Sequence, residues 1–298
     1  MMKIEDVLII GAGPAGLAAA IQLQRYGIPP LILERANPGG LLWNANLVEN
    51  YPGFPHGISG VALVRLMQLQ AEEVGVKITS AEVNRLDWNG RNFRVETDQG
   101  LYRAQYVVIA SGTQPRQFTD LALPLRGADR IFYEVTPLLE IRDAEIAIVG
   151  AGDAAFDYAL NLAQRHNQIV ILNRGETLKC LPLLWKRSQQ QSRIQYFHHT
   201  KIQKIQTLDN QQLELKCQSP AGISNFTVDY LIGALGRIPA MSFVTDNLKS
   251  KVETLEAQGW LHFIGDVRNG IFRQTTIAVG DGVRTAMQIY QILKEITP

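Results

Sequence analysis

The chain has 298 residues and a formal net charge of +1, with 46 % hydrophobic and 19 % charged residues. That length accommodates two domains of roughly 120 to 180 residues, each burying its own core. The near-neutral balance lacks the electrostatic footprint of a nucleic-acid or anionic-membrane binder. No apolar run approaches the ~18 residues of a membrane span, so the expected location is the cytoplasm.

The first predicted strand is Asp6-Val7-Leu8-Ile9-Ile10, and it runs through Gly11-Ala12-Gly13-Pro14-Ala15-Gly16 into a helix. Gly11 permits the tight turn, Gly13 lets backbone approach a pyrophosphate, and Gly16 lets the helix pack closely on the sheet. The helix N-terminus offers unpaired N–H groups to phosphates. Glu34 closes the next strand, 18 residues after Gly16, where a carboxylate can accept both hydroxyls of an adenosine ribose. A loop rich in glycine, asparagine and proline follows from 37 to 60, then a helix over 61–73. Residues 93–97 and 100–104 flank Asp98-Gln99 as a hairpin, and 105–110 reads as a further, buried strand. Ser111-Gly112-Thr113-Gln114-Pro115-Arg116 breaks the pattern and marks a domain boundary.

The same device recurs at Glu145-Ile146-Ala147-Ile148-Val149-Gly150-Ala151-Gly152-Asp153-Ala154-Ala155. The chain therefore carries a second candidate dinucleotide site, at Gly150, Gly152, Asp153 and Ala154. Its following strand, 168–172, ends in Asn173-Arg174 instead of an acid. Arg174 with Lys179 nearby would favour a ribose 2′-phosphate, hence NADPH over NADH. Alternating strands are predicted over 213–217 and 226–232, a breaker at Gly236-Arg237-Ile238-Pro239, and a short polar stretch over 246–259. The last strand spans 260–264, Gly265-Asp266 follows it, and a final helix covers 281–296. Because the second unit is complete at Pro239, the economical topology returns the chain to the first domain.

Cys180 and Cys217 form neither a disulfide framework nor a zinc-type pair, and read as buried thiols. The five histidines include no pair at i, i+4, so no metal site is expected. Adjacent His198 and His199 would point to opposite faces of a strand.

The two glycine fingerprints, with Gly39-Gly40-Leu41, Val48-Glu49-Asn50-Tyr51-Pro52-Gly53-Phe54, the break at 111–116, Gly265-Asp266-Val267 and Arg273-Gln274, resemble the low-molecular-weight thioredoxin reductases over nearly the whole chain. The resemblance implies an α/β fold of two Rossmann-like three-layer domains. An FAD-binding domain (1–113 and 240–298) would enclose an NAD(P)-binding-type domain (114–239), in a homodimer. It implies FAD contacts at Gly11, Gly13, Pro14, Ala15, Gly16, Glu34, Gly39, Gly40, Leu41, Asn50, Val83, Gly112, Gly265, Asp266, Arg273 and Gln274. Asp266 and the backbone N–H groups of the last helix would face the ribityl chain and flavin ring.

Three departures qualify the resemblance. The family's Cys-x-x-Cys, about 17 residues before the second fingerprint, maps onto Tyr133-Glu134-Val135-Thr136, which holds no sulfur, so no dithiol relay is expected. The family's His-Arg-Arg-x-x-x-Arg becomes Asn173-Arg174-Gly175-Glu176-Thr177-Leu178-Lys179. The stretch between Pro239 and Gly265 is shorter than in the family.

The expected function is an FAD oxidoreductase passing electrons from NAD(P)H directly to an acceptor such as a quinone, ferredoxin, flavodoxin or small molecule. Alternatives are a ferredoxin-linked flavoenzyme whose second site holds another dinucleotide such as a second FAD, and a non-catalytic FAD-binding redox sensor. Tyr133, Glu134 and Thr136 could face the flavin or simply pack, and no catalytic residue is assigned. Trp185-Lys186-Arg187 and Arg193 read as a solvated helix face or a cover for the cofactor edge. Tyr51 and Phe54 are expected to pack near the flavin or a dimer interface.

Overall fold

A computed structural model describes residues 4–296. The chain forms two compact units, one made of residues up to Trp43, Val48–Gln114 and from Ile238 onwards, the other of Asn44–Leu47 and Pro115–Arg237.

In the first unit β1 (Glu5–Ile10) leads through the glycine turn into α1 (Pro14–Arg25), then β2 (Leu31–Glu34), α2 (Gly60–Glu73), β3 (Ile78–Ser80), β4 (Val83–Trp88), β5 (Phe93–Thr97) and β6 (Gly100–Ile109). β1 reads as a continuous apolar run because both its faces are covered; Val7, Leu8 and Ile9 are fully buried. Residues 100–110, expected as two strands, form the single strand β6, which changes partners midway. Its first half pairs antiparallel with β5, and its second half lies parallel to β1. No turn former interrupts Ala104-Gln105, so nothing breaks the strand there.

The segments joining the units, β7 (Thr113–Pro115) and β16 (Arg237–Pro239), pair with each other. The second unit contains β8 (Ile131–Phe132), β9 (Glu145–Val149), α3 (Asp153–Ala163), β10 (Gln168–Leu172), α4 (Pro182–Gln189), β11 (Ile194–Phe197), β12 (Lys201–Thr207), β13 (Leu213–Ser219), β14 (Gly222–Val228) and β15 (Tyr230–Gly233). A parallel sheet ordered β11-β10-β9-β15-β8 accompanies an antiparallel sheet β12-β13-β14. The strand expected over 226–232 is therefore two strands in different sheets. Asp229 makes the corner: its N–H donates to Glu145 O at 2.7 Å, and its carboxylate accepts from Glu145 N–H at 2.9 Å.

After β16 the chain rejoins the first unit with α5 (Asp246–Lys249), α6 (Val252–Ala257), β17 (Leu261–Phe263) and α7 (Thr275–Ile296). β17 adds to β6 in parallel. The polar stretch 246–259 folds as the two short helices because Leu248 and Leu255 anchor each to the core. α7 begins at Thr275, six residues before the expected start, and passes through Gly280 and Gly282 without breaking. The packing explains why: a Cβ on Gly282 would stand 2.2 Å from Ala15 O, so glycine there lets α7 lie against α1.

Trp185, expected on a solvated face, instead packs edge-on to Phe156 and Tyr196 at 5.8 and 5.2 Å between ring centroids. Phe156 is fully buried on α3. Phe156→Ala should destabilise the second unit by about 3–5 kcal/mol, measured as a lower midpoint of chemical denaturation at unchanged slope.

Candidate functional site

The first site is built around the turn between β1 and α1. Gly11 has φ +103°, and a Cβ there would lie 2.5 Å from Ala110 O; one on Gly16 would lie 1.9 Å from Gly11 O. These contacts press α1 against the ends of β1 and β6 and aim its N-terminus at the turn. Gly13 caps α1 with no side chain, and Pro14 at the first helical position has no N–H to lose. Ala15 is buried behind it.

Glu34 reaches this turn from β2. Its Oε2 accepts the Ala12 N–H at 2.7 Å and its Oε1 the Ala36 N–H at 2.9 Å. A carboxylate has about four lone-pair directions, so two remain for the hydroxyls of a ribose. Gly39 and Gly40, both at positive φ, bring a second strand of backbone to the same place; Gly39 N–H donates to Ala12 O at 2.8 Å. Leu41 follows in the 3-10 turn Gly40–Asn44. Val83 opens β4 two residues after Ala81, whose N–H donates to Glu34 O at 3.0 Å.

Chain segments far apart in sequence complete the site. Asn50 Nδ2 donates to Gln274 Oε1 at 2.6 Å, although 224 positions separate them. Gly265, at φ +69°, packs its Cα face on Ala15, and Asp266 follows it in a 3-10 turn at the carboxyl end of β17. Gly112, at φ +65°, accepts the Ala240 N–H at 3.1 Å. Sequence reasoning missed Asp281, which sits on α7 and takes Gly265 N–H at 3.2 Å and Asn269 Nδ2 at 2.6 Å, fixing the turn that carries Asp266. Arg273, just before α7, keeps a buried Nε with no hydrogen-bond partner among the described residues. An unspent buried donor is costly, and it fits a site that an oxygen- and nitrogen-rich ring system such as a flavin would complete.

The second site repeats the first in the other unit. Gly150 N–H donates to Leu172 O at 3.0 Å, and a Cβ on Gly150 would meet Ala234 O at 2.6 Å. Gly152 caps α3 without a side-chain bond, and Asp153 and Ala154 at its first turn are exposed. Asp153 would place negative charge where phosphates bind, but its Oδ1 is held by Leu181 N–H at 2.7 Å. Lys179 N–H donates to Ala151 O at 2.8 Å, so the loop bearing Lys179 and Cys180 crosses the glycine turn. Arg174 is exposed and lies 4.0 Å from Asp120.

The residues at the relay position are also in the second unit. Tyr133 OH accepts the Phe118 N–H at 3.2 Å. Thr136 Oγ1 donates to Asn44 Oδ1 at 2.6 Å, and the Val135 and Thr136 N–H groups donate to the same oxygen at 3.2 and 3.1 Å. Glu134 Oε1 pairs with Arg237 at 2.9 Å. Burial pushes the Tyr158 phenol up to about 12; Arg237 works against this, and Glu134 and Asp157 add to it. Asn44 (5 % exposed) and Asn46, whose N–H donates to Asp157 Oδ2 at 2.9 Å, hold residues 44–47 onto this unit. An asparagine in a polar loop carried no periodic signal that would have singled out Asn44.

A family model described as pyridine nucleotide-disulphide oxidoreductase matches residues 5–282. The chain belongs to this family. Within it, a thioredoxin reductase of Streptomyces coelicolor is 28 % identical, the alignment covering 100 % of this chain and 96 % of that protein. The crystal structure of Lactococcus lactis thioredoxin reductase superposes with a TM-score of 0.84 at 27 % identity, covering 98 % and 99 % of the two chains. The crystal structure of T. acidophilum thioredoxin reductase gives a TM-score of 0.81 at 25 % identity, covering 97 % and 98 % of the two chains.

For this pyridine nucleotide-disulphide oxidoreductase, Glu34→Ala removes a side-chain carboxylate bonded to the first glycine turn. FAD should bind roughly 10- to 100-fold more weakly, the effect of about 1.5–3 kcal/mol for a charge-assisted hydrogen bond. Reconstitution of flavin-free protein followed by flavin fluorescence measures it.

Proposed function

We propose that the protein is an FAD-dependent oxidoreductase that takes electrons from NAD(P)H and passes them to an acceptor directly from the flavin, without thiols, and so is not a thioredoxin reductase in activity. FAD supplies a ring that accepts a hydride and releases electrons singly or in pairs. The first unit's glycine turn, Glu34, Arg273 and the Asn50–Gln274 pair would hold and orient it. The second unit's glycine turn and α3 N-terminus would hold the pyridine nucleotide.

The observation that carries this reading is the chemistry at the relay position. Tyr133 and Thr136 stand where relatives of this type would need thiols, and both hydroxyls are engaged in hydrogen bonds. The two sulfurs present are unsuited to a relay. Burial pushes the Cys217 thiol up to about 11, and burial together with the Asp153 carboxylate raises that of Cys180. Only a thiolate attacks a disulfide. Cys217 lies on β13 in one core cluster and Cys180 packs against another, so they are no pair. A quinone, a ferredoxin, a flavodoxin or another small molecule fits the acceptor's role. The homodimer expected from the sequence belongs to the same proposal, and the exposed Leu66 and Leu69 of α2 offer it an apolar face.

Anaerobic titration of the FAD-loaded protein with NADPH, and separately NADH, tests the reading through the flavin's visible absorbance. Stoichiometric bleaching is expected. The Cys180→Ser, Cys217→Ser double variant should bleach equally well, and loss of bleaching in that folded variant would overturn direct transfer. Absence of bleaching in the wild type, with dithionite still reducing the flavin, would favour a ferredoxin-type donor.

A further inference from the structure

The first unit holds a cavity of about 280 Å³ between the carboxyl end of β17 and α7. Its wall includes His262 from β17, Arg268 and Asn269 after the 3-10 turn that follows, and Asp281, Arg284 and Thr285 from α7. The three α7 positions are spaced to share one face of the helix, while Gly282 turns to α1. None of the residues expected to touch FAD lines the cavity. Its volume is close to the about 300 Å³ at which small-molecule sites begin.

Several polar groups in this wall have no partner in the protein. Arg284 is exposed, and no described residue pairs with its guanidinium. Thr285 is 5 % exposed, yet its hydroxyl bonds to no described residue, which leaves the cavity as the side from which a partner can reach it. His262 Nε2–H donates to Gly259 O at 2.9 Å, so the neutral ring keeps Nδ1 as an acceptor. Burial holds that ring below the usual histidine range, Arg268 assists, and Gly259 O and Glu256 oppose. The other charges are accounted for. Arg268 is paired with Glu256, and the Asp281 carboxylate accepts Gly265 N–H and Asn269 Nδ2. The wall thus presents a guanidinium without a counter-charge, a buried hydroxyl and an imidazole acceptor.

We infer that this cavity is an effector site for a small hydroxylated organic anion, its carboxylate or phosphate ester on Arg284 and its hydroxyl on Thr285 and His262. The site is linked to the flavin through Asn269 and Asp281, which stand in the wall and also fix the turn carrying Asp266, the residue expected at the ribityl chain. An anion that moves either residue moves that turn, and by linkage FAD and the anion change each other's affinity by the same factor. This link rests on the proposed FAD role of the unit; the cavity does not.

Isothermal titration of the protein as isolated with malate and with glycerol 3-phosphate tests the site and separates carboxylate from phosphate ester. Succinate lacks malate's hydroxyl and glycerol lacks the charge. At least one of the two hydroxylated anions should bind with a Kd of about 1 mM or tighter, and glycerol should not bind. Arg284→Gln, at an exposed helix position, should weaken binding about tenfold or more, the size of a charge-assisted hydrogen bond. Thr285→Val, of nearly the same shape, and the replacement of malate by succinate should each cost about fivefold. Absence of binding by both hydroxylated anions, equal binding of glycerol, or an unchanged affinity in Arg284→Gln overturns the site. In the FAD-loaded protein the bound anion should shift the flavin's visible spectrum. An unmoved spectrum at saturation overturns the link to the Asp266 turn. A protein that cannot be loaded with FAD overturns the flavin reading, and the titration still decides the cavity.

Discussion

The close approach of backbone to backbone around α1 governs the first unit. Gly16 sits where any side chain would strike Gly11 O, and Gly282 of α7 sits where any side chain would strike Ala15 O. Helix, turn and sheet are thereby held with no intervening atoms, and the N-terminus of α1 is left bare of side chains. A helix N-terminus carries unsatisfied N–H groups and about half a positive charge. The fold thus leaves this helix N-terminus open by omitting side chains, and it brings Glu34, Gly40 and Gly265 to its rim.

The second unit uses the same construction for a different end. Gly150 approaches Ala234 O as Gly11 approaches Ala110 O, but the first turn of α3 is open, and its one carboxylate, Asp153, is turned away to Leu181. The sheet's next two loops are sewn together through Asn173, Gly175 and His199. The Asn44 amide gathers three donors from Val135 and Thr136, and Glu134 is neutralised by Arg237. Centred on the buried Asn44, this polar cluster is stable because its members satisfy one another.

The glycine turns were legible in the sequence because their requirement is local: three small residues, a buried strand before and a helix after. The same is true of the hairpin at 97–100 and the buried strands of both sheets. Other features were read wrongly for lack of a local signal. Nothing in Phe226 to Ile232 shows that the strand splits, since Asp229 turns the corner only because Glu145 from another strand meets its backbone and carboxylate. The final helix was expected over 281–296, and nothing local shows that it begins at Thr275 and runs through Gly280.

The sequence by itself determined two strand-turn-helix nucleotide motifs, the carboxylate that closes β2, and the want of a paired thiol anywhere along the chain. These depend on residue type and short spacing, which need no tertiary context. Tertiary structure decided the meeting of Asn50 with Gln274, the unspent donor on Arg273, the capture of residues 44–47 by the second unit, and the turning of His198 and His199 toward each other beyond the end of β11, not to opposite faces of a strand. Each joins positions remote in sequence or depends on a φ that only surrounding hydrogen bonds enforce, and neither kind of information is written in local pattern.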